Sequence, residues 1–152
     1  MNKKLALIML IAVSLFIASG CDIKNNNLNH KAELNTKNLD EVISSVKVII
    51  NNKEYTLNLE NNDTARSFAN LLPREFNMNE LNGNEKYVYI DVSLPTNTSN
   101  PKHINSGDVM LYGDNCLVVF YKSFDTSYSY TKIGHIDNLP NLGNGSIIAK
   151  FE

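Results

Sequence analysis

The segment Cys116-Leu117-Val118-Val119-Phe120-Tyr121 is apolar at every position. Side chains of an extended chain alternate between two faces, so a strand with this pattern must be central and covered on both sides. Around it, the chain from Val46 onward reads as short strands separated by Gly, Asn and Pro turns such as Asn82-Gly83-Asn84 and Gly113-Asp114-Asn115. The expected strands are Arg74 to Glu80, Lys86 to Val92, Val109 to Tyr112, Cys116 to Tyr121, Tyr130 to Ile136 and Ser146 to Phe151. An opening hairpin brings the number to about eight. Mostly antiparallel strands in that number, with one early helix, need closure to bury their edges. The fold class expected is mainly β, a small closed barrel of about eight strands with one or two short helices.

The hairpin is legible in detail. Val46, Val48 and Ile50, then Tyr55, Leu57 and Leu59, alternate with polar residues across Asn51-Asn52, and asparagine tolerates the positive φ of a tight turn. Asp63 is expected to cap a helix from Thr64 to Leu72, with Ala65, Phe68, Ala69, Leu71 and Leu72 largely on one face before Pro73 closes it. That helix is expected to pack across one opening of the barrel.

The N-terminus has a different character. Lys3 and Lys4, an apolar run from Leu5 to Ile17 and the small residues before Cys21 make an export signal. The run falls within the ~7 to 15 residues of a signal core and short of the ~20 that cross a bilayer as a helix, which sets aside an uncleaved anchor. Ala18-Ser19-Gly20-Cys21 resembles the bacterial lipobox, although Ala18 stands where leucine is most common. That resemblance implies cleavage before Cys21 and lipidation of its sulfur, hence a protein lipid-anchored to the cell membrane and facing outside the cytoplasm. Two acyl chains at ~0.8 kcal/mol per buried methylene give durable attachment. The chain then divides into a signal at residues 1–20, a lipidated N-terminus and flexible Asn- and Lys-rich tether at 21–44, and a folded domain at 45–152.

Composition excludes several functions. Loss of Lys3 and Lys4 takes the 14 basic residues down by two to 12, against 16 acidic ones, a formal charge of −4. Two arginines and scattered lysines make no basic face, so no nucleic acid is expected as partner. Once Cys21 is lipidated, Cys116 is the remaining thiol and no internal disulfide can form. Cys116 opens a buried strand, where cysteine acts as a small hydrophobe. His30 falls in the tether and His103 and His135 lack a carboxylate or cysteine at ligand spacing, so neither a metal nor another cofactor is expected. Asp108, Asp114, Asp125 and Asp137 lie at strand ends, as turn chemistry requires, and show no acid/base spacing.

The aromatic residues are the strongest functional lead. Tyr112, Phe120, Tyr121, Phe124, Tyr128 and Tyr130 cluster around one hairpin and the loop after it, Ser123 to Ser129. Such a set can line a groove for an extended peptide or a small apolar ligand, or it can fill and cover the barrel. The loop Leu94 to Lys102, with Asn97 at its centre, either edges such a pocket or is a solvated crossover.

The strings Leu81-Asn82-Gly83-Asn84-Glu85-Lys86-Tyr87, Gly107-Asp108-Val109-Met110-Leu111-Tyr112-Gly113-Asp114 and Phe120-Tyr121-Lys122-Ser123-Phe124 resemble those of small bacterial cyclophilin-like fold proteins. Thr126-Ser127-Tyr128-Ser129-Tyr130-Thr131 and Ile133-Gly134 extend the likeness, so it covers about Val46 to Glu152. It implies a β-barrel, distantly similar to cyclophilin peptidyl-prolyl isomerases. Thr64-Ala65-Arg66-Ser67-Phe68 is similar to the first cyclophilin helix, and Gly107 to Phe120 could match the paired central strands. The catalytic pattern departs: those enzymes carry an arginine after a phenylalanine, then Phe-x-Met and a glutamine, whereas here Arg74 precedes Phe76 and the chain has no glutamine. Arg74 is the one catalytic candidate, sharing a strand face with Phe76 and Met78; Arg66 reads as a solvated charge. The expected function is a noncatalytic module binding a peptide segment or small ligand. The alternative is a divergent prolyl isomerase acting on exported proteins, and a third reading is an interaction unit of the envelope.

Overall fold

The computed structural model describes residues 43–152. The signal, Cys21 and nearly all of the tether lie outside the described residues. The elements are β1 (Ser45–Ile50), β2 (Lys53–Leu59), α1 (Asp63–Ala69), β3 (Arg74–Leu81), β4 (Glu85–Tyr89), β5 (His103–Ile104), β6 (Asp108–Tyr112), β7 (Cys116–Phe120), β8 (Phe124–Asp125), β9 (Thr131–Ile136) and β10 (Ile147–Phe151).

Eight strands close into an antiparallel barrel in the order β1-β10-β3-β4-β7-β6-β9-β2, and β2 returns to β1. The β1–β2 hairpin turns on Asn51 and Asn52, both at positive φ (51° and 61°), the backbone expected of a two-residue turn. At Gly134 the strands press together, because a Cβ there would come within 2.3 Å of the Asn58 carbonyl oxygen across the β2–β9 pairing. Every residue of β7 is buried, as the apolar pattern on both faces requires.

The barrel interior is filled from all sides. Val48, Ile50, Leu57, Met78, Leu111, Leu117, Val119, Ile133 and Phe151 are fully buried within it. One end is closed by α1, whose Phe68 meets Phe151 edge-on with ring centroids 5.5 Å apart. The other end is closed by a polar clamp. Lys86 has no exposed surface, and its ammonium donates to Glu80, to the Gly143 carbonyl at 2.6 Å and to the Gly145 carbonyl at 2.7 Å. The same ammonium lies 5.0 Å from the centre of the Tyr121 ring.

Three details differ from the sequence expectation. The helix cap is Asn62, whose side-chain oxygen accepts the Ala65 N–H at 2.8 Å, and Asp63 is the first helical residue. The helix stops at Ala69, because Leu71 and Leu72 turn back to the carbonyls of Phe68 and Ala69, three residues behind, and Pro73 has no N–H to continue. Finally, β5 and β8 pair outside the barrel, His103 with Asp125 and Ile104 with Phe124, although two-residue strands carry no periodic signal.

Candidate functional site

Residues paired across neighbouring strands share a face. On the outside of the barrel, Tyr89, Cys116 and Tyr112 form one row, Tyr87, Val118 and Met110 the next, and Glu85 and Phe120 a third. Part of this surface is roofed. Ile104 of β5, Phe124 of β8 and Tyr130 pack on Met110, Val118 and Phe120, making a second apolar cluster outside the barrel. The Phe120 ring is 5.6 Å from Phe124 and 5.5 Å from Tyr130. What the roof leaves open is a groove of about 290 Å³. Glu85, Tyr87 and Tyr89 of β4, Cys116 and Val118 of β7, Tyr112 of β6, Tyr128 and Tyr130, and Leu81 and Asn82 at the β3–β4 turn line it.

The aromatics selected from sequence divide between these layers. Tyr112, Tyr128 and Tyr130 line the groove, with Tyr112 6.2 Å from Tyr128 and 5.6 Å from Tyr130. Phe120 is fully buried beneath the roof and Phe124 belongs to the roof itself. Tyr121 parts from the others by one step of the strand alternation: it belongs to the barrel core, and its hydroxyl donates to Glu80 at 2.8 Å. Asn97 is exposed and does not line the groove; its backbone N–H donates to Thr131 Oγ1 at 3.1 Å. The rest of its loop is stitched down, with Leu94 buried, the Pro95 carbonyl accepting from Thr64 Oγ1 at 2.6 Å and Ser99 bridged to Tyr130.

Seven groove residues escaped the sequence reading: Leu81, Asn82, Glu85, Tyr87, Tyr89, Cys116 and Val118. The signal for three of them was present. Glu85, Tyr87 and Tyr89 alternate, so they share the outer face of a strand whose inner residues are Lys86 and Val88. What no local pattern shows is that this face lies beside Tyr112, because β4 and β6 both pair with β7.

The electrostatics of the groove centre on Glu85. The residue is 8% exposed, and its carboxyl is pushed up to about 7, first by burial and then by the negative charge of Glu80. Burial and Glu85 together raise the Cys116 thiol and the Tyr130 phenol. On the inner face the balance is reversed: burial would raise Glu80, but hydrogen bonds from Lys86 and Tyr121 outweigh it and hold that carboxyl below its ordinary range. Burial and the bond to Glu80 push Tyr121 up to about 12.

A model of the cyclophilin-like family matches residues 48–152, which takes in nearly the whole barrel and every groove residue. The chain belongs to the cyclophilin-like family. No curated protein and no solved structure matches it. In this cyclophilin-like domain neither arginine reaches the groove. Arg74 begins β3 whereas Leu81, which touches the groove, ends it, a separation of about 23 Å at ~3.3 Å per residue. Its guanidinium lies 3.8 Å from Asp91, and Phe76 and Met78, on the same strand face, are packed into the barrel core. Arg66 is held on α1 by Asn61 and Asp63.

The two histidines among the described residues, isolated in sequence, each meet an aspartate in space: His103 Nδ1 lies 2.7 Å from Asp125 and His135 Nδ1 2.9 Å from buried Asp108. Asp108 also accepts the Asn105 N–H at 2.8 Å, so it ties the turn before β6 to β9. Among the described residues no three metal-ligating side chains converge.

Proposed function

We propose that this cyclophilin-like domain is a noncatalytic binding module, held outside the cytoplasm by a lipid on Cys21, whose tyrosine groove receives a peptide segment or small ligand. The observation that carries the reading is the groove itself. Of the six large apolar or aromatic side chains that are exposed among the described residues, Leu81, Tyr89, Tyr112 and Tyr128 border this one depression. Ring faces beside a few polar tips are the usual make-up of a ligand site. Prolyl isomerisation would further need a fixed donor that binds the twisted amide more strongly than the planar one, and both arginines are engaged elsewhere.

The membrane address rests on Lys3, Lys4, the Leu5–Ile17 run and the residues before Cys21. Two experiments test the proposal. The purified protein should leave the rate of prolyl cis/trans exchange in a short peptide essentially unchanged; a large acceleration that Arg74→Ala abolishes would replace the binding reading with the isomerase one. In cells given labelled fatty acid, Cys21→Ser should lose both the label and membrane association, and a mutant labelled like the parent would reject the lipid anchor.

A further inference from the structure

We propose that the groove is selective for an organic cation, an alkylammonium or guanidinium group, with Glu85 as its counter-ion and the surrounding tyrosine rings as its walls. The inference rests on the reading of the groove as a ligand site and specifies what that site takes.

The first observation is a carboxyl on a buried residue that reaches the groove without a protein partner. Glu85 is more than nine-tenths buried and lines the groove. Among the described residues no side chain donates a hydrogen bond to it, and the charge that acts on it is the like charge of Glu80. A buried carboxylate left in that state costs free energy that a pairing cation would recover. The lysine next to it in sequence cannot serve, because the Lys86 ammonium is committed to Glu80 and two loop carbonyls on the other face of the strand. No lysine or arginine lines the groove, so it offers no side-chain positive charge to an anion.

The second observation is the rings. Tyr87 and Tyr89 stand at 84° to one another, and Tyr112 and Tyr128 at 88°, so each pair offers one ring face beside one ring edge. Tyr89 is 66% exposed and Tyr128 62% exposed, leaving ring faces free for contact. A cation over a tyrosine face is attracted by the ring quadrupole, most strongly where water is partly excluded. At about 290 Å³ the groove has room for one basic side chain or a small amine.

The titratable groups around Glu85 in the groove are Cys116 from β7, Tyr112 from β6, Tyr87 and Tyr89 from its own strand, and Tyr128 and Tyr130 ahead of β9; Glu80, Lys86 and Tyr121 lie on the inner face, from which the Glu80 charge acts on Glu85. Cys116 and Tyr130 are raised and Glu80 is lowered, whereas Glu85 is pushed up to about 7, within the neutral range. Cation affinity should therefore rise about tenfold between pH 6 and pH 8 as Glu85 ionises.

The test is calorimetric titration of the full chain, with tyrosine ring resonances followed in parallel to show that binding is in the groove. The probes are a blocked Gly-Arg-Gly peptide, its citrulline counterpart, a blocked Gly-Lys-Gly peptide, its norleucine counterpart, and tetramethylammonium. The charged probes should bind, the neutral counterparts at least tenfold more weakly, and affinity should climb with pH. Glu85→Gln should lose that climb and bind at pH 8 about tenfold more weakly, with its fold checked by circular dichroism. Binding of the peptides without tetramethylammonium would assign the cation to a protein side chain, and the reverse to a free amine; either supports the proposal. Equal binding of arginine and citrulline peptides, or of lysine and norleucine peptides, would overturn cation selectivity while leaving the groove a ligand site. If none of the probes shifts the tyrosine resonances at millimolar concentration the proposal also falls, and a groove that responds to no peptide at all would remove the reading beneath it. Binding by the parent protein that does not weaken as pH is lowered from 8 to 4 would overturn the role of Glu85 without reliance on any variant.

Discussion

Glu85 and Lys86 are neighbours on β4, and the alternation of the strand sends them to opposite sides of the barrel wall. On the inner side, Lys86 is fully buried and surrounded by Glu80, the Gly143 and Gly145 carbonyls and the Tyr121 ring. On the outer side, Glu85 is almost as deeply buried, and what faces it is tyrosine rings and a thiol, with the like charge of Glu80 acting on it from the inner side. The inner charge serves the fold, closing the end of the barrel opposite α1 and pinning the loop that leads into β10. The outer charge does nothing for the fold, since its burial is uncompensated. A polar group kept at a cost to stability, in the wall of an open groove, is what the proposed cation site accounts for.

This contrast is open to direct attack. The largest effect should come from Lys86→Ala, which leaves Glu80 without its cation and two loop carbonyls without their donor. Urea denaturation should show a loss of about 3–5 kcal/mol, the range for breaking one half of a buried pair. Lys86→Met, which keeps the bulk, should lose less, and equal losses would mean that volume and not charge closes the barrel end.

The outer carboxyl should behave in the opposite sense. Because the folded protein holds the Glu85 proton up to about 7 whereas the unfolded chain releases it near the ordinary 4.5, the folded state binds more protons across that window. The Glu85 contribution therefore lowers stability progressively as pH rises from 4.5 through 7. Glu85→Gln should remove that slope and, above pH 7, stabilise the protein by on the order of 1 kcal/mol once solvent screening in the groove is allowed for. Denaturation midpoints measured at pH 5 and pH 8 decide the point, and a mutant less stable than the parent at pH 8 would show that Glu85 has a structural partner after all. Glu152 acts in a separate window: hydrogen bonds from Lys150 and Lys47 hold it down to about 2, so its contribution is present above 4.5 and lost as pH falls towards 2.

The smallest effect on stability is expected at the groove rim. Tyr128→Ala removes a ring that is mostly exposed and should change stability by less than about 0.5 kcal/mol. Ligand binding measured on the same variant should weaken severalfold, because a rim ring contacts ligand more than it contacts the core. A large loss of stability would place Tyr128 in the packing of the second cluster instead.

Legibility followed the range of the interactions. The tight turn at Asn51–Asn52, the burial of β7 on both faces and the number of barrel strands were all readable, because turn chemistry and period-two alternation are written in neighbouring residues. The ends of α1 were read less well, since Asn62 and Asp63 are both competent caps and the local backbone chooses between them. Tyr121 was grouped with the groove aromatics by closeness in sequence, although alternation from Phe120 places its ring on the inner face. The short pairing of β5 with β8 was out of reach, because two residues carry no period.

What the sequence determined by itself is the class of fold, the family and the set of residues that alternate outward, because each follows from local patterning or from strings of consecutive residues. What only the tertiary structure decided is which outward sets meet. Glu85, Tyr87 and Tyr89 become one surface with Tyr112 because β4 and β6 flank β7, and that surface is a groove because Ile104, Phe124 and Tyr130 roof part of it. Those contacts join residues far apart along the chain, held by the pairing order of a closed sheet. The charge state of Glu85 follows from the same enclosure, since it is the packing around a carboxyl, and not the identity of its sequence neighbours, that sets the cost of ionising it.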